Sequence, residues 1–250
     1  MPYRESVSRE LYLHETIDIV GEGSVPYMEE SVVGFDPDAI ADRGLALFGT
    51  WAVQGSTGRW PRVINVWELT DGWEGWARLC ARTNLRRQAN AELEAWWHRA
   101  AGWRSGGFDR LLGAAPGSPS LALVRRPATR GELFLHEQAT VRPGAALDYL
   151  AAVREEWAPV MAEHGHHLVG LWEVLLCETE VCTLWATDLE AHTALARATD
   201  AARGFPTPGT ATDPRLVSWR ARGRAFDLRW RHEILIPCPG TPMGPAVWAE

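Results

Sequence analysis

Two hexapeptides carry the sharpest chemical signal in this 250-residue chain: ELYLHE at 10–15 and ELFLHE at 132–137. Each sets a histidine beside a glutamate, His14 with Glu15 and His136 with Glu137. A neutral imidazole near an acid can act as a general base close to neutral pH. Side chains alternate across a strand. Read as strands, the hexapeptides put Leu11, Leu13 and Ile17 on one face and Tyr12, His14 and Thr16 on the other, and Leu133 and Leu135 oppose Phe134, His136 and Gln138 in the same way. The leucine face is expected to pack on helices, and the mixed face to hold both histidines near a pseudo-two-fold axis or in a pocket beside it. The other reading of each histidine is structural, hydrogen-bonded to a neighbouring strand or to a glutamate. Glu15 and Glu137 fall on the leucine face. A carboxylate there must be paired, lie at a sheet edge or mark a pocket between sheet and helices, because an unpaired buried charge is costly. A salt bridge to an arginine of the overlying helix is the plainer alternative.

Fourteen tryptophans are a heavy load for this length. Trp51, Trp67, Trp172 and Trp185 fall on strands at equivalent positions, where they either fill a core or wall a cavity for a flat apolar ligand. In the last strand, FDLRWRHEIL, Arg229, Arg231 and Glu233 share one face, and Leu228, Trp230, His232 and Ile234 the other. Arg231 on an inner face could hold a carboxylate or enolate; on an edge strand it would be solvated. The cluster HGHH at 164–167 starts a strand, so His166 and His167 point opposite ways and no metal site is expected. Cys80, Cys177, Cys182 and Cys238 form no CxxC pair and are read as free thiols. RTNLRR at 82–87 reads as a solvated basic helical turn. Phosphate-loop, dinucleotide and nucleophile-elbow motifs are absent from the sequence.

The elements that must position these residues come in two similar sets. ELYLHE and ELFLHE are 122 residues apart, FGTW at 48–51 and VGLW at 169–172 are 121 apart, and Trp67 and Trp185 are 118 apart. Each set reads as strand, helix, strand, strand, helix, strand. The predicted strands of the first lie near 10–19, 47–54, 61–69 and 120–126. A helical stretch over 24–46 is broken at Asp36-Pro37, and Asp71 with Glu74 caps a long helix over 72–104. The second set places strands near 132–141, 166–176, 180–187 and 226–236. Its helices span 144–164, kinked at Pro159 and stopped at Gly165, then 189–202, capped by Thr187 with Glu190, and 215–223. This divides the chain into repeats at 1–127 and 128–236, followed by a Pro/Gly-rich tail at 237–250.

The fold class predicted is therefore α+β: tandem ferredoxin-like βαββαβ repeats whose bare sheet faces pack together into a single-chain dimeric α/β-barrel. Apolar residues make up 46% and charged residues 23%, an ordinary globular balance. The net charge of −7 argues against a nucleic-acid partner. All 25 basic residues are arginine, which is read as a coding bias. The N-terminal residues show no apolar signal core, and no run reaches the roughly 18 apolar residues of a membrane span. A cytoplasmic monomer or weak homodimer is expected.

The strand–turn–strand blocks FGTWAVQGSTGRWPRVINVWELTD and VGLWEVLLCETEVCTLWATDLEAH, together with the opening strand LYLHET, resemble the NIPSNAP family. Those domains show a G-x-W strand, a Gly-containing turn and a strand ending in tryptophan; His14 and His136 stand where the family has arginine. The resemblance implies the dimeric α/β-barrel fold, and several enzymes of that fold bind substrate between sheet and helices. It leads to the expectation of a small-molecule enzyme without a tightly bound cofactor: a monooxygenase, isomerase or cyclase acting on an apolar, aromatic or polyketide-like metabolite. The competing readings are a non-catalytic binding or scaffold protein and, through His192 on the second-half helix, a haem protein.

Overall fold

A computed structural model describes residues 9–34, 43–81, 91–125 and 130–248. The Asp36-Pro37 break and the basic turn at 82–87 lie outside them. Eight strands form the frame: β1 Leu11–Ile19, β2 Leu45–Val53, β3 Arg62–Leu69, β4 Arg104–Ala114, β5 Leu133–Thr140, β6 His167–Val174, β7 Glu180–Thr187 and β8 Arg229–Pro237. They close into one barrel in the order β1-β3-β2-β8-β5-β7-β6-β4, and every pairing is antiparallel. Each half follows the same internal order: fourth, first, third, second. The halves join edge to edge through β2–β8 and β4–β6, so the expected two facing sheets are one continuous barrel. Edge pairing satisfies backbone groups that two stacked open sheets would leave unpaired.

β3 (RVINVWEL) and β7 (EVCTLWAT) are buried along almost their whole length. They sit centrally in each half, facing the barrel interior on one side and helices on the other, which is why their apolar runs are nearly continuous rather than alternating. Corresponding bulges interrupt β2 between Leu47 and Gly49 and β6 between Leu168 and Gly170. There the G-x-W spacing has a steric cause. A Cβ on Gly49 would run into the Trp51 indole, and one on Gly170 into the Trp172 indole. Both indoles are turned into the barrel and sealed from water. Burying roughly 200 Å² of aromatic surface stabilises by about 5 kcal/mol per ring before entropy.

Several sequence expectations are corrected. SLALVRR does not form the fourth strand: Leu121–Val124 is a short helix whose N-cap, Ser120, accepts from the Leu123 N–H. The fourth strand is Arg104–Ala114, whose first half is exposed and polar and carries Gly106 and Gly107, so it shows no hydrophobic alternation. The long helix over 72–104 is described as Gly72–Leu79 and Ala91–Ala100, ending before β4 begins. Asp71 does not cap it; with φ at 65° it instead pairs with Arg78 at 2.6 Å. The first of these helices lies on the barrel through buried Gly72 and Gly75, leaving Trp73 and Trp76 at 44% and 36% exposure. In the second half the cap of helix Leu189–Ala202 is Asp188, not Thr187. The helix before Gly165 carries a π turn, Val153–Trp157, just ahead of Pro159, between the helical segments Ala146–Ala152 and Ala158–Glu163. Among the described residues no helix is long and apolar enough to cross a membrane.

Candidate functional site

The mixed face of β1 and β5 turns into the barrel. His14 and His136 meet there, Nε2 to Nε2 at 3.3 Å, although 122 residues separate them. Both are buried; His14 Nδ1 has no hydrogen-bond partner among the described residues, and His136 Nδ1 lies 3.9 Å from Glu233 Oε2. Burial, then His136 and Arg110, holds His14 well below the usual histidine range. On one side of the pair the interior is aromatic: the Tyr12 ring packs on Phe48 and Trp172 at 5.6 and 5.4 Å, and Trp51 packs on Phe134 at 5.5 Å. Beyond His136 lies Glu233, fully buried and ion-paired to Arg231 at 2.8 Å and to Arg62 at 3.8 Å. Arg231 thus neutralises a carboxylate of its own strand. The two histidines are core residues of the barrel, and so are Trp51 and Trp172.

The leucine face turns outward beneath the helices, and there the two glutamates diverge. In the first half Glu15 Oε2 accepts from the Trp67 indole at 2.8 Å and from Asn65 Nδ2 at 3.0 Å. In the second half Glu137 Oε1 accepts from the Tyr149 hydroxyl at 2.7 Å, and Oε2 lies 2.8 Å from His232 Nε2. A carboxylate oxygen only accepts, so His232 Nε2 donates. Burial, then the Glu137 charge, pushes Tyr149 well above the usual tyrosine range, which keeps it a donor.

Glu137 and His232 form the polar edge of a cavity of about 280 Å³ between the second-half sheet and its helices. The walls include Trp157, Trp185, Trp219, Trp230, Met161 and Leu195. Trp157 and Trp219 stack nearly parallel, 5.2 Å between centroids, and fix one wall. The helix Leu189–Ala202 supplies His192, Leu195, Ala196, Thr199 and Asp200, a spacing of three and four residues that places one helical stripe on the cavity, and its C-cap Arg203 continues it. Exposed Asp200, Arg203 and Arg220 mark its rim. His192 Nδ1 lies 3.2 Å from His166 Nε2, and His166 Nδ1 lies 2.9 Å from the His164 carbonyl oxygen. Burial lowers both, His166 to about 4.

Of the residues singled out from sequence, Glu137, Trp185 and His192 line this cavity. His14, His136, Trp51 and Trp172 lie inside the barrel, Glu15 and Trp67 on the outer face of the first half, and Arg231 in the Glu233 ion pair. Sequence reasoning missed His232, Tyr149, Trp157, Trp219 and Trp230 as site residues. The usable signal was β8, where Trp230 and His232 share the outer face at strand spacing. Among the described residues no group of three or more His, Cys, Asp or Glu side chains is placed to hold a metal ion.

Comparison with known proteins adds the fold. No protein-family profile matches the sequence, and no curated protein matches it. A candidate monooxygenase from Lactobacillus acidophilus NCFM superposes with a TM-score of 0.56 at 9% identity, covering 92% of this chain and 94% of that one. A second candidate monooxygenase, from Fusobacterium nucleatum subsp. nucleatum ATCC 25586, gives 0.56 at 8% identity over 92% and 93%. A candidate chlorite dismutase gives 0.49 at 10% identity over 94% and 98%. The closed antiparallel barrel with outer helices and the two superpositions at 0.56 define the class: this is a protein of the dimeric α/β-barrel fold. The narrower NIPSNAP likeness rests on the sequence blocks alone.

Proposed function

We propose that this chain is a small-molecule enzyme that moves protons on a compact apolar or aromatic substrate bound in the second-half cavity. His232 is the proton-transfer group and Glu137 the carboxylate that orients it. The observation that carries this reading is the Tyr149–Glu137–His232 chain opening onto a tryptophan-walled space. Tyr149 occupies one carboxylate oxygen, so the other is left for His232 Nε2. The imidazole is thereby fixed in orientation, and its Nδ1 is the atom that takes up or releases a proton. A nearby carboxylate stabilises the imidazolium that forms, and the burial of Glu137 strengthens that interaction although His232 itself is reached by solvent. About 280 Å³ is at the lower edge of the roughly 300–1,000 Å³ usual for ligand sites, which suits a substrate of two fused rings. Proton removal from an activated carbon opens isomerase and cyclase reactions and cofactor-free oxygenation alike. The reading also treats the halves as duplicated ferredoxin-like units, supported by their matching strand order and bulges.

The test uses 2-tetralone, a bicyclic aromatic ketone with acidic C–H bonds, in D₂O. The wild-type protein is expected to speed exchange at the carbons beside the carbonyl, read by NMR, and His232→Ala to slow it by about 100-fold or more. Binding without exchange would instead support a binding protein, and a Soret band on the purified protein a haem protein.

A further inference from the structure

A second histidine faces the same cavity from the opposite wall, and its protonation pattern follows from its neighbours. The His164 carbonyl can only accept, so His166 carries its proton on Nδ1. Neutral His166 then offers only a lone pair at Nε2, and His192 Nδ1 must donate to it. That leaves His192 with an unprotonated Nε2. The imidazole stands on the cavity stripe of helix Leu189–Ala202, while His232 comes from β8. His232 is close enough for its charge to bear on His192.

We propose that His192 is a second catalytic residue, a base presenting Nε2 to substrate, and that His166 is the positioning residue that fixes its tautomer. The proposal rests on the reading of this cavity as a proton-transfer site and deepens it. Two proton-transfer groups from facing elements suit a substrate whose proton leaves one atom and returns to another, as in a 1,3-shift beside a carbonyl. The C–H bond breaks toward His192 Nε2 and its electron pair enters the carbonyl system as an enolate. A new C–H bond forms elsewhere on that system with the Nδ1 proton of His232, which enters the cycle as the imidazolium paired with Glu137. The histidines end with exchanged protonation and reset through water at the rim. Substrate and product are isomers, so no oxidant or reductant is consumed.

Two experiments test this. In ¹⁵N-histidine-labelled protein, long-range ¹H–¹⁵N spectra should show His192 protonated at Nδ1 and bare at Nε2, and His166→Phe should remove that preference. A proton on Nε2 of His192 in the wild type overturns the proposal whatever the activity. In the 2-tetralone exchange assay, His192→Ala and His192→Gln should both slow exchange by about 100-fold, with KM little changed. Gln can still donate to His166, so loss in both variants is not a loss of folding. His166→Phe should lower kcat rather than raise KM. Exchange that requires His232 but survives both His192 variants overturns this proposal alone. Absence of exchange by the wild type overturns both readings.

Discussion

The outer faces of the two halves are built on one plan and end in opposite chemistry. Tyr27 and Tyr149 stand 122 residues apart, as do Glu15 and Glu137. Glu15 is opposite Asp109 on β4, whereas Glu137 is opposite His232 on β8. Asn65 and Thr183 occupy the equivalent place two residues before the strand tryptophan. Asn65 donates to Glu15, and Trp67 donates to the same carboxylate oxygen. In the second half Trp185 donates to Thr183 Oγ1 at 2.8 Å instead. There the indole is engaged by the hydroxyl, and Glu137 Oε2 meets His232 instead. In the first half carboxyl faces carboxyl, and Asp109 is raised to about 6, by burial first and Glu15 second. One half therefore holds its glutamate with indole and amide donors and faces it with a second carboxyl, and the other pairs it with a tyrosine hydroxyl and an imidazole.

The comparison breaks if the two glutamates behave alike. Glu137→Gln should lower 2-tetralone exchange by about 100-fold, because the amide no longer stabilises the imidazolium. Glu15→Gln should leave exchange at the wild-type rate; a loss there would place the chemistry in the first half. Thr183→Asn sharpens the contrast by moving the first-half residue into the second. Its amide competes with His232 for Glu137, and a hydrogen bond worth about 1 kcal/mol should slow exchange roughly fivefold. Glu15→Ala should instead act on stability, costing about 1–3 kcal/mol where the buried donors Asn65 and Trp67 lose their acceptor; equilibrium urea unfolding reads this.

The smallest effect belongs to the interior that the halves share. His14 is held well below the usual histidine range by burial, His136 and Arg110. Because the folded value is depressed, the unfolded chain binds the proton more readily. The contribution to stability is present above the unfolded histidine pKa of about 6.5 and is lost as pH falls below it. The urea midpoint should drop between neutral and mildly acidic pH, and His14→Gln should flatten that dependence. An equally steep profile in the variant would assign it to other groups.

Local sequence decided which residues share a face. Alternation placed Leu11, Leu13 and Glu15 together and His14 with Tyr12, and the structure keeps those sets. The matching strand order of the two halves was legible because ELYLHE, the G-x-W strand and the strand tryptophan recur at nearly constant offset, and the indole seated on a glycine gives a steric reason for Gly49 and Gly170. β4 was not legible, since an exposed strand with paired glycines carries neither apolar alternation nor β-branched residues. The partners across the fold were also out of reach. His14 touches His136 across 122 residues and Glu137 touches His232 across 95, and only barrel closure and strand order set those pairs. A period of two states which way a side chain points, not what stands opposite it. That is why the sequence marked Glu137 as a carboxylate in need of a partner, while the tertiary structure alone supplied Tyr149, His232 and the tryptophan walls around them.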